Sequence, residues 1–259
     1  KINDFTFENA FPPNPPPNDD LDIQILWLDV LEKKGVYIDS DDMAEAWLKQ
    51  CWYPFNEYGN FRRNFRLGIH PPISGSFNND FYGTGMGCPI RSEIWGVICP
   101  GNPGLAGKYA KMDGCLDHTD ESVNAEVMFA RIEAEAFFED DVIKLIKNNL
   151  KYLSKGSRIK AGIEDIFDSY NSGLTWKQAR EKFLKQYNVF EPCDALVNVP
   201  FTIMALLYGK KDFEQTMLIA LNSGYDTDCT TATAGSILGI IAGAEKLPPN
   251  WKAKVGDEY

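Results

Sequence analysis

Two aspartates on either side of a threonine, Asp226 and Asp228, are the residues of this chain whose types and spacing best fit chemistry. They follow Gly224 and Tyr225, and small and apolar residues continue at helical spacing to residue 243. The pattern predicts a helix that begins at the aspartates, where unpaired N–H groups and a partial positive charge stabilise acids. Oxygen ligands this close together suit Mg²⁺, Mn²⁺ or Ca²⁺. The alternative interpretation is an ordinary aspartate cap before a buried helix.

A second acidic pair, Asp19 and Asp20, also stands at the start of a predicted helix. Apolar residues recur after it at intervals of three and four up to Gly35, which is typical of an amphipathic helix. If the two helices pack side by side, their four carboxylates converge. Such a cluster repels itself in the absence of cations, so we expect it to hold one or two divalent ions. A pair of hard ions would orient a diol or a phosphate and position a water for attack.

A glycine-rich stretch between the two acidic motifs, residues 83–96, is a further candidate for the site. Its glycines allow a ligand to approach the backbone closely, and Arg91 offers a planar fork for a phosphate or carboxylate. The aromatic pair Phe81 and Tyr82 precedes it. No strand pattern comes before the stretch, so it is not a dinucleotide-binding fingerprint, and a tight turn with a surface arginine stays the alternative. Residues 53–107 as a whole lack helical periodicity, which predicts a long functional loop.

Histidine and cysteine patterns argue against other common kinds of active site. Of the two histidines, His70 precedes two prolines as a turn residue would, and His118 lies just ahead of a predicted helix. Zinc is disfavoured because the chain has neither an HExxH motif nor metal-ligand spacing of histidine and cysteine. A Ser-His-Asp triad has no local signature such as G-x-S-x-G. The six cysteines are scattered without CxxC spacing, which indicates free thiols in a reducing compartment.

Composition and charge limit the class of protein and its partners. Of the 259 residues, 44% are hydrophobic and 24% are charged, which is the balance of an ordinary globular protein. The formal net charge of −11 supplies no basic field for a phosphate backbone or an anionic membrane, so we expect neither a nucleic-acid nor a membrane partner. No apolar run approaches the roughly 20 residues that span a bilayer. These features favour a cytoplasmic protein, and the sequence leaves its oligomeric state open.

The elements that must position these residues are predicted to be helices. Stretches of helical periodicity, separated by cap or turn residues, cover residues 122–138, 140–153, 158–171, 175–187, 197–208, 212–221 and 229–244. No alternation of apolar and polar residues is long enough to require a sheet. The proline-rich residues 12–17 predict an extended segment ahead of the first acidic pair. With no repeat and no linker, a single all-α domain over residues 1–259 is the simplest architecture.

The motifs NDDLDIQILWLDVLEKKG and GYDTDCTTATAGSILGIIAGA contain the two acidic pairs. They resemble the N-terminal acidic motif and the C-terminal signature of the ADP-ribosylglycohydrolase family. Between them, RRNFRLGIHPPISGSFNND, MGCPIRSEIWGVICPGNP and NVPFTIMALLYGKKDFEQTMLIALNSG resemble a bacterial branch. The resemblance covers residues 18–251. It implies an all-α domain of orthogonally packed helices, with a two-metal Mg²⁺ or Mn²⁺ centre that hydrolyses a glycosidic bond to the ribose of ADP-ribose.

By matching position, the resemblance assigns metal and catalytic roles to acids at the two helix starts. The implied metal ligands are Asp19, Asp20, Asp226 and Asp228, and the implied catalytic residues are Asp19, Asp20 and Asp228. Asn18 stands where the family usually has a ligating threonine, and its amide oxygen is a further candidate ligand. Cys229 stands where a threonine commonly follows the second aspartate, and a thiol is a poor ligand for Mg²⁺.

The resemblance also implies a substrate site and a missing segment. The residues that would contact ADP-ribose are Gly85, Gly87 and Arg91 around the ribose and diphosphate, His118 nearby, and Tyr82 or Phe81 against a base. The family carries an N-terminal helix and loop, with a glutamate that contributes to metal binding and catalysis. This chain begins at Lys1, after that point of the pattern, and we expect it to lack that segment.

Three functions stay open at this point. The first is removal of ADP-ribose from a modified protein or small molecule. The second is hydrolysis of another N-glycoside or a nucleoside-like substrate on the same fold, which the altered ligand positions favour. The third is a non-catalytic ADP-ribose-binding relative, which the missing segment favours.

Overall fold

The computed structural model describes residues 3–11, 18–187 and 189–255, and its regular structure there is helical. The described residues contain no strand, only an isolated bridge between Gly85 and Asp194. The α-helices are α1 (Asp19–Lys34), α2 (Ser40–Gln50), α3 (Asn56–Arg66), α4 (Ile73–Ser76), α5 (Ser92–Val97), α6 (Pro103–Gly114), α7 (Asp120–Ala136), α8 (Val142–Asn149), α9 (Arg158–Asn171), α10 (Trp176–Tyr187), α11 (Ala195–Gly209), α12 (Phe213–Ser223), α13 (Thr227–Ala242) and α14 (Pro249–Val255). The predicted all-α fold is confirmed.

The helices predicted for the second half of the chain are present, whereas the long loop predicted over residues 53–107 is wrong. That region contains α3, α4, α5 and the first part of α6. Polar residues and a glycine hide the periodicity of α3, yet Tyr58, Phe61 and Asn64 lie at intervals of three and are buried on one face. Packing against the rest of the protein therefore selects a helix that local propensity disfavours. The extended segment predicted for residues 12–17 lies outside the described residues.

Helix α7 lies between two hydrophobic clusters and belongs to both. Met128 and Phe129 pack with the cluster formed mainly by α8 to α13. Ala130 and Ala134 pack with the cluster formed by α1, α2, α3, α5 and α6. Because α7 contacts both clusters, the N-terminal and C-terminal halves of the described chain share one packed interior, which fixes the acidic motif of α1 relative to that of α13.

Helices α1 and α13 are joined through α5, which packs against both. Glu93 of α5 is buried between them: Oγ1 of Thr233 on α13 donates to Oε1 of Glu93 at 2.8 Å, and Nε2 of Gln24 on α1 donates to Oε2 at 3.2 Å. Burial raises the pKa of Glu93 to about 7. The two helices that were predicted to begin with acidic pairs are thus held by a common carboxylate. Within the described residues, no helix has both the length and the apolar character that crossing a membrane requires.

Candidate metal centre and active site

The N-termini of α1 and α13 meet, and their acidic residues face one another. Nδ2 of Asn18 donates a hydrogen bond to Oδ2 of Asp228 at 3.1 Å. A carboxylate oxygen of Asp20, a carboxylate oxygen of Asp228 and Sγ of Cys229 all lie within 4.8 Å of one another. The tertiary structure therefore brings together two acidic motifs that are far apart in the sequence, at the mutual spacing of ligands around one ion.

Asp20 is the most deeply buried carboxylate of this group. Its side chain is 8% exposed, and neither carboxylate oxygen has a hydrogen-bond partner. Burial, followed by the charges of Asp228 and Asp19, raises the pKa of Asp20 well above its usual range. A buried carboxylate without donors is costly in free energy unless a cation neutralises it. The group thus has the donor set and the unmet charge of a divalent cation site.

Asp226 is held in place by Asn198, a residue that the sequence did not single out. The backbone N–H of Asp226 donates to Oδ1 of Asn198 at 3.0 Å, and Nδ2 of Asn198 donates to the backbone oxygens of Pro192 at 2.7 Å and Asp194 at 3.0 Å. Burial, and then a hydrogen bond that the protonated carboxyl of Asp226 donates to the Asp228 carboxylate, raises the pKa of Asp226 to about 7. The available signal was an asparagine within the apolar run ALVNVPFTIMALL, because a polar group that such a run buries needs hydrogen-bond partners.

The structure places Asn18, a predicted metal ligand, at the start of α1 between the two acidic motifs. Its Oδ1 accepts a hydrogen bond from the backbone N–H of Asp20 at 2.7 Å, so the amide oxygen caps α1. Its Nδ2 donates a hydrogen bond to Asp228, which belongs to the acidic motif of α13. Asn18 therefore links the two motifs. Asp19 is oriented by Tyr58, whose hydroxyl donates to Oδ2 at 2.6 Å.

A cavity of about 250 Å³ opens beside the acidic cluster. Asp19, Asp226, Asp228 and Cys229 line one part of it, and the glycine-rich loop lines another. Apart from those four residues of the acidic cluster, the lining residues, including those of the loop, are Phe55, Asn56, Glu57, Tyr58, Phe81, Tyr82, Thr84, Gly85, Met86, Gly87, Ile90, Glu191, Cys193 and Asp194. Among these described lining residues there are several carboxylates and no lysine, arginine or histidine, so the cavity favours a cation or an uncharged ligand.

The glycine-rich loop is fastened to the start of α11 and approaches α3 closely. The N–H of Met86 donates to the oxygen of Cys193 at 2.8 Å, and the N–H of Ala195 donates to the oxygen of Thr84 at 3.0 Å. A Cβ at Gly87 would lie 2.2 Å from Oε1 of Glu57, so a larger residue there would require the carboxyl group of Glu57 to shift. Of the expected substrate residues, Gly85, Gly87 and Tyr82 line the cavity, together with the exposed ring of Phe81.

Glu57 is a cavity residue that the sequence did not reveal. It lies in the first turn of α3, is buried, and burial raises its pKa. Its Oε1 is 3.9 Å from Nε2 of His118. No sequence pattern indicated Glu57, because the region that contains its helix was predicted to be a loop. A buried carboxyl group with a raised pKa that lines a cavity is a candidate general acid.

Arg91 does not face the cavity, so both the expected phosphate fork and the alternative of a surface arginine are wrong. Its guanidinium is fully buried and donates to both carboxylate oxygens of Asp117, at 3.0 and 2.8 Å. It also forms an ion pair with Asp113 at 3.0 Å and lies over the ring of Trp47. Because its charge is already matched by two buried carboxylates, Arg91 stabilises the interior and is not free to bind a substrate anion.

His118 lies one layer behind the cavity wall. Its Nδ1 is 2.8 Å from Oδ1 of Asp117, and its Nε2 has no hydrogen-bond partner. A Cβ at Gly85 would lie 3.8 Å from this Nε2. Although burial opposes it, Arg91 and His118 lower the pKa of Asp117 to about 2, so Asp117 is ionised and orients the imidazole. His118 therefore supports the loop and Glu57 from behind and does not line the cavity.

The fold and the site define an all-α protein with a carboxylate-rich candidate active site between two helix N-termini. The family model for ADP-ribosylglycohydrolase matches residues 2–259. The chain therefore belongs to the ADP-ribosylglycohydrolase family, as its motifs predicted, and the activity of that family is hydrolysis of glycosidic bonds.

Comparison with solved structures agrees with this assignment at the level of the fold, since 17 chains match. One is described as an ADP-ribosylglycohydrolase-related protein complex, with a TM-score of 0.67 and 20% sequence identity. The alignment covers 92% of this chain and 75% of that chain. At this identity the likeness concerns the fold alone. No curated protein matches the sequence.

Proposed function

We propose that this chain is a metal-dependent glycohydrolase that removes ADP-ribose from a modified protein or small molecule. The observation that carries the proposal is Asp20. Its two buried carboxylate oxygens lack hydrogen-bond partners, and it lies beside a cavity opposite the acidic motif of α13. Family membership supports the reaction class, which is hydrolysis of a glycosidic bond. The leaving group and the metal dependence are the proposed parts.

The residues present fit a divalent cation, with Mg²⁺ or Mn²⁺ as the cofactor expected from the family pattern. Asp20 and Asp228 would hold it directly, with Asp19 and Asp226 as further ligands or as the ligands of a second ion. A bound ion of this kind polarises ribose hydroxyls and lowers the pKa of a bound water. Asn198 fixes the backbone at Asp226, so the second acidic motif is oriented before any ligand arrives.

Glu57 is the residue that we propose as the general acid. It lines the same cavity as Asp19 and Asp228, and burial raises its pKa, so that it keeps a proton closer to neutral pH than an exposed glutamate does. His118, oriented by Asp117, lies behind it at 3.9 Å. Glu57 would donate its proton to the leaving group as the bond to ribose breaks, and a water would then complete the hydrolysis.

Incubation of the chain with ADP-ribosylated arginine and serine peptides tests this proposal, with release of ADP-ribose as the readout. We expect release with Mg²⁺ or Mn²⁺, and loss of release on chelation and in Asp228→Asn. The matched control is Asp29→Asn, because Asp29 is a half-buried acid of α1 that contacts Lys33 and lies outside the cavity lining. Equal release from Asp228→Asn and from Asp29→Asn would refute the proposal.

One observation favours a second substrate class on the same site. The acids Glu57, Glu191 and Asp194 line the cavity, and no cationic side chain among the described lining residues is available to neutralise a diphosphate. An uncharged N-glycoside with a nucleoside-like shape would avoid that repulsion. Comparison of kcat/KM for ADP-ribosyl and plain nucleoside substrates separates the two classes. A clear preference for the ADP-ribosyl substrate would remove the second.

A further inference from the structure

Cys229 belongs to the acidic cluster as a third donor. Its Sγ and one carboxylate oxygen each of Asp20 and Asp228 lie within 4.8 Å of one another, and the cysteine is buried. A second, independent observation marks the same place, because both carboxylate oxygens of the buried Asp20 lack any hydrogen-bond donor. The cluster is therefore a mixed sulfur and oxygen donor set around a position of unmet negative charge.

This donor set differs from that of a site built for Mg²⁺. Mg²⁺ and Ca²⁺ take oxygen ligands, whereas a cysteine sulfur selects softer divalent ions such as Zn²⁺. Catalytic zinc sites characteristically use three protein ligands and leave a fourth position for water or substrate. Three donors converging beside an open cavity match that arrangement, although the sequence lacks the local spacing from which a zinc site is normally recognised.

We propose that the centre binds a transition-metal ion of the Zn²⁺, Co²⁺ or Fe²⁺ type in preference to Mg²⁺, with Sγ of Cys229 and the carboxylates of Asp20 and Asp228 as its protein ligands. This inference rests on the metal centre of the proposed function and changes the ion that it holds. As the ion binds, the thiol proton of Cys229 passes to solvent and the sulfur coordinates as a thiolate. Water would reach such an ion from the cavity, which Asp228 and Cys229 line.

Cys193 provides a matched control, because its thiol also contacts Asp226 and lines the cavity but is exposed. It is not part of the close group formed by Cys229 with the two aspartates. The remaining cysteines do not line the cavity. A spectroscopic signal from sulfur coordination in this cavity can therefore be assigned by comparing variants at these two positions.

Titration of the metal-free chain with Co²⁺, followed by absorption spectroscopy, tests the inference. We expect a thiolate-to-cobalt charge-transfer band in the wild type and in Cys193→Ser, and no such band in Cys229→Ser. Loss of the sulfur ligand should weaken Co²⁺ binding by at least about tenfold, since even the outer partners of metal ligands contribute 10- to 100-fold. In competition, Zn²⁺ should displace Mg²⁺ from the wild type at equal concentration, and Cys229→Thr should reduce that preference.

Absence of the band in the wild type, its persistence in Cys229→Ser, or its loss in Cys193→Ser would each overturn the inference. If Cys229→Ser does not fold, a band present in both the wild type and Cys193→Ser still assigns the sulfur to Cys229, and its absence from both still refutes the assignment. If the protein cleaves its substrate with Mg²⁺ and shows no thiolate-to-cobalt band, this inference is refuted and the proposed function stands. A sulfur band without cleavage of any substrate would refute only the proposed function.

Discussion

Replacement of Asp20 by asparagine is expected to stabilise the metal-free protein and to remove most of its response to metal. In the wild type both oxygens of this buried carboxylate lack hydrogen-bond donors, and Asp228 lies close enough to coordinate the same ion. Asparagine keeps the size and shape of the side chain, removes the charge, and supplies two N–H donors toward neighbouring carboxylates. The same change removes the most deeply buried anionic ligand of the candidate centre.

The size of both effects follows from these contacts. Relief of an unsatisfied buried group is worth about 1–3 kcal/mol, and each kcal/mol corresponds to roughly 2–4 °C in Tm for a chain of this size. A cation present at about 100 times its Kd stabilises the wild type by about 2.7 kcal/mol. Asp20→Asn should therefore be the more stable protein in chelator, and should lose this lead in excess metal.

Thermal unfolding of both proteins in EDTA and in excess metal measures this reversal. Asp29→Asn serves as the control, since the half-buried carboxylate of Asp29 lies on the same helix, accepts a hydrogen bond from Lys33 and is not part of the acidic cluster. The control should follow the wild type in both conditions. If Asp20→Asn is less stable than the wild type in EDTA, or keeps the full metal-induced shift in Tm, then the Asp20 carboxylate is not a buried charge that a bound cation neutralises.

The pH dependence of the metal-free proteins supplies a further check with a defined sign. Burial raises the pKa of Asp20 in the folded state, so the folded protein binds this proton more tightly than the unfolded chain does. Stability from this group is therefore fully present below the unfolded pKa of about 3.9 and is lost as the pH rises through the folded pKa. The advantage of Asp20→Asn should be smallest in acid and should grow with rising pH.

Three further predictions follow from the positioning residues. Arg91→Met should destabilise the fold by about 3–5 kcal/mol in urea unfolding, because it leaves buried carboxylates unpaired, and an unchanged midpoint would refute its structural role. Asn198→Ala should weaken metal binding about 10- to 100-fold in calorimetric titration, since it frees the backbone at Asp226, and unchanged affinity would contradict this. Gly87→Ala should reduce ADP-ribose binding by displacing the carboxyl group of Glu57 while leaving metal affinity intact, and unchanged affinity for ADP-ribose would count against the close contact between Gly87 and Glu57.

Helix starts were readable from the sequence because caps are local. Asn18 and Asp20 stand two residues apart, and the side chain of the first accepts a hydrogen bond from the backbone N–H of the second in the same turn. Periodicity identified the helices that follow for the same reason, since it records which face of a helix is buried. It does not record which element covers that face, and it failed for α3, where only contacts with distant residues select the helix.

The roles of individual polar residues depend on partners that are distant in the sequence, and a local sequence pattern does not identify such partners. The sequence pattern predicted that Arg91 would bind a substrate anion. In the structure its guanidinium forms ion pairs with Asp113 of α6 and with Asp117 in the turn that follows. Glu57 and Asn198 carried no motif, yet packing places one in the cavity and the other against the second acidic motif. Burial decides the charge and the availability of such groups, and burial is a property of the assembled structure.

The sequence by itself determined the helical class, the two acidic helix starts and the family, since these depend on residue type and on spacing within a few turns. Only the tertiary structure decided that Asp20 and Asp228 face each other, that Cys229 joins them as a sulfur donor, and that Arg91 is withdrawn into the interior. The physical reason is that coordination and desolvation act over a few ångströms in space. Residues far apart in the chain therefore acquire their chemistry only when α5 and α7 hold their helices together.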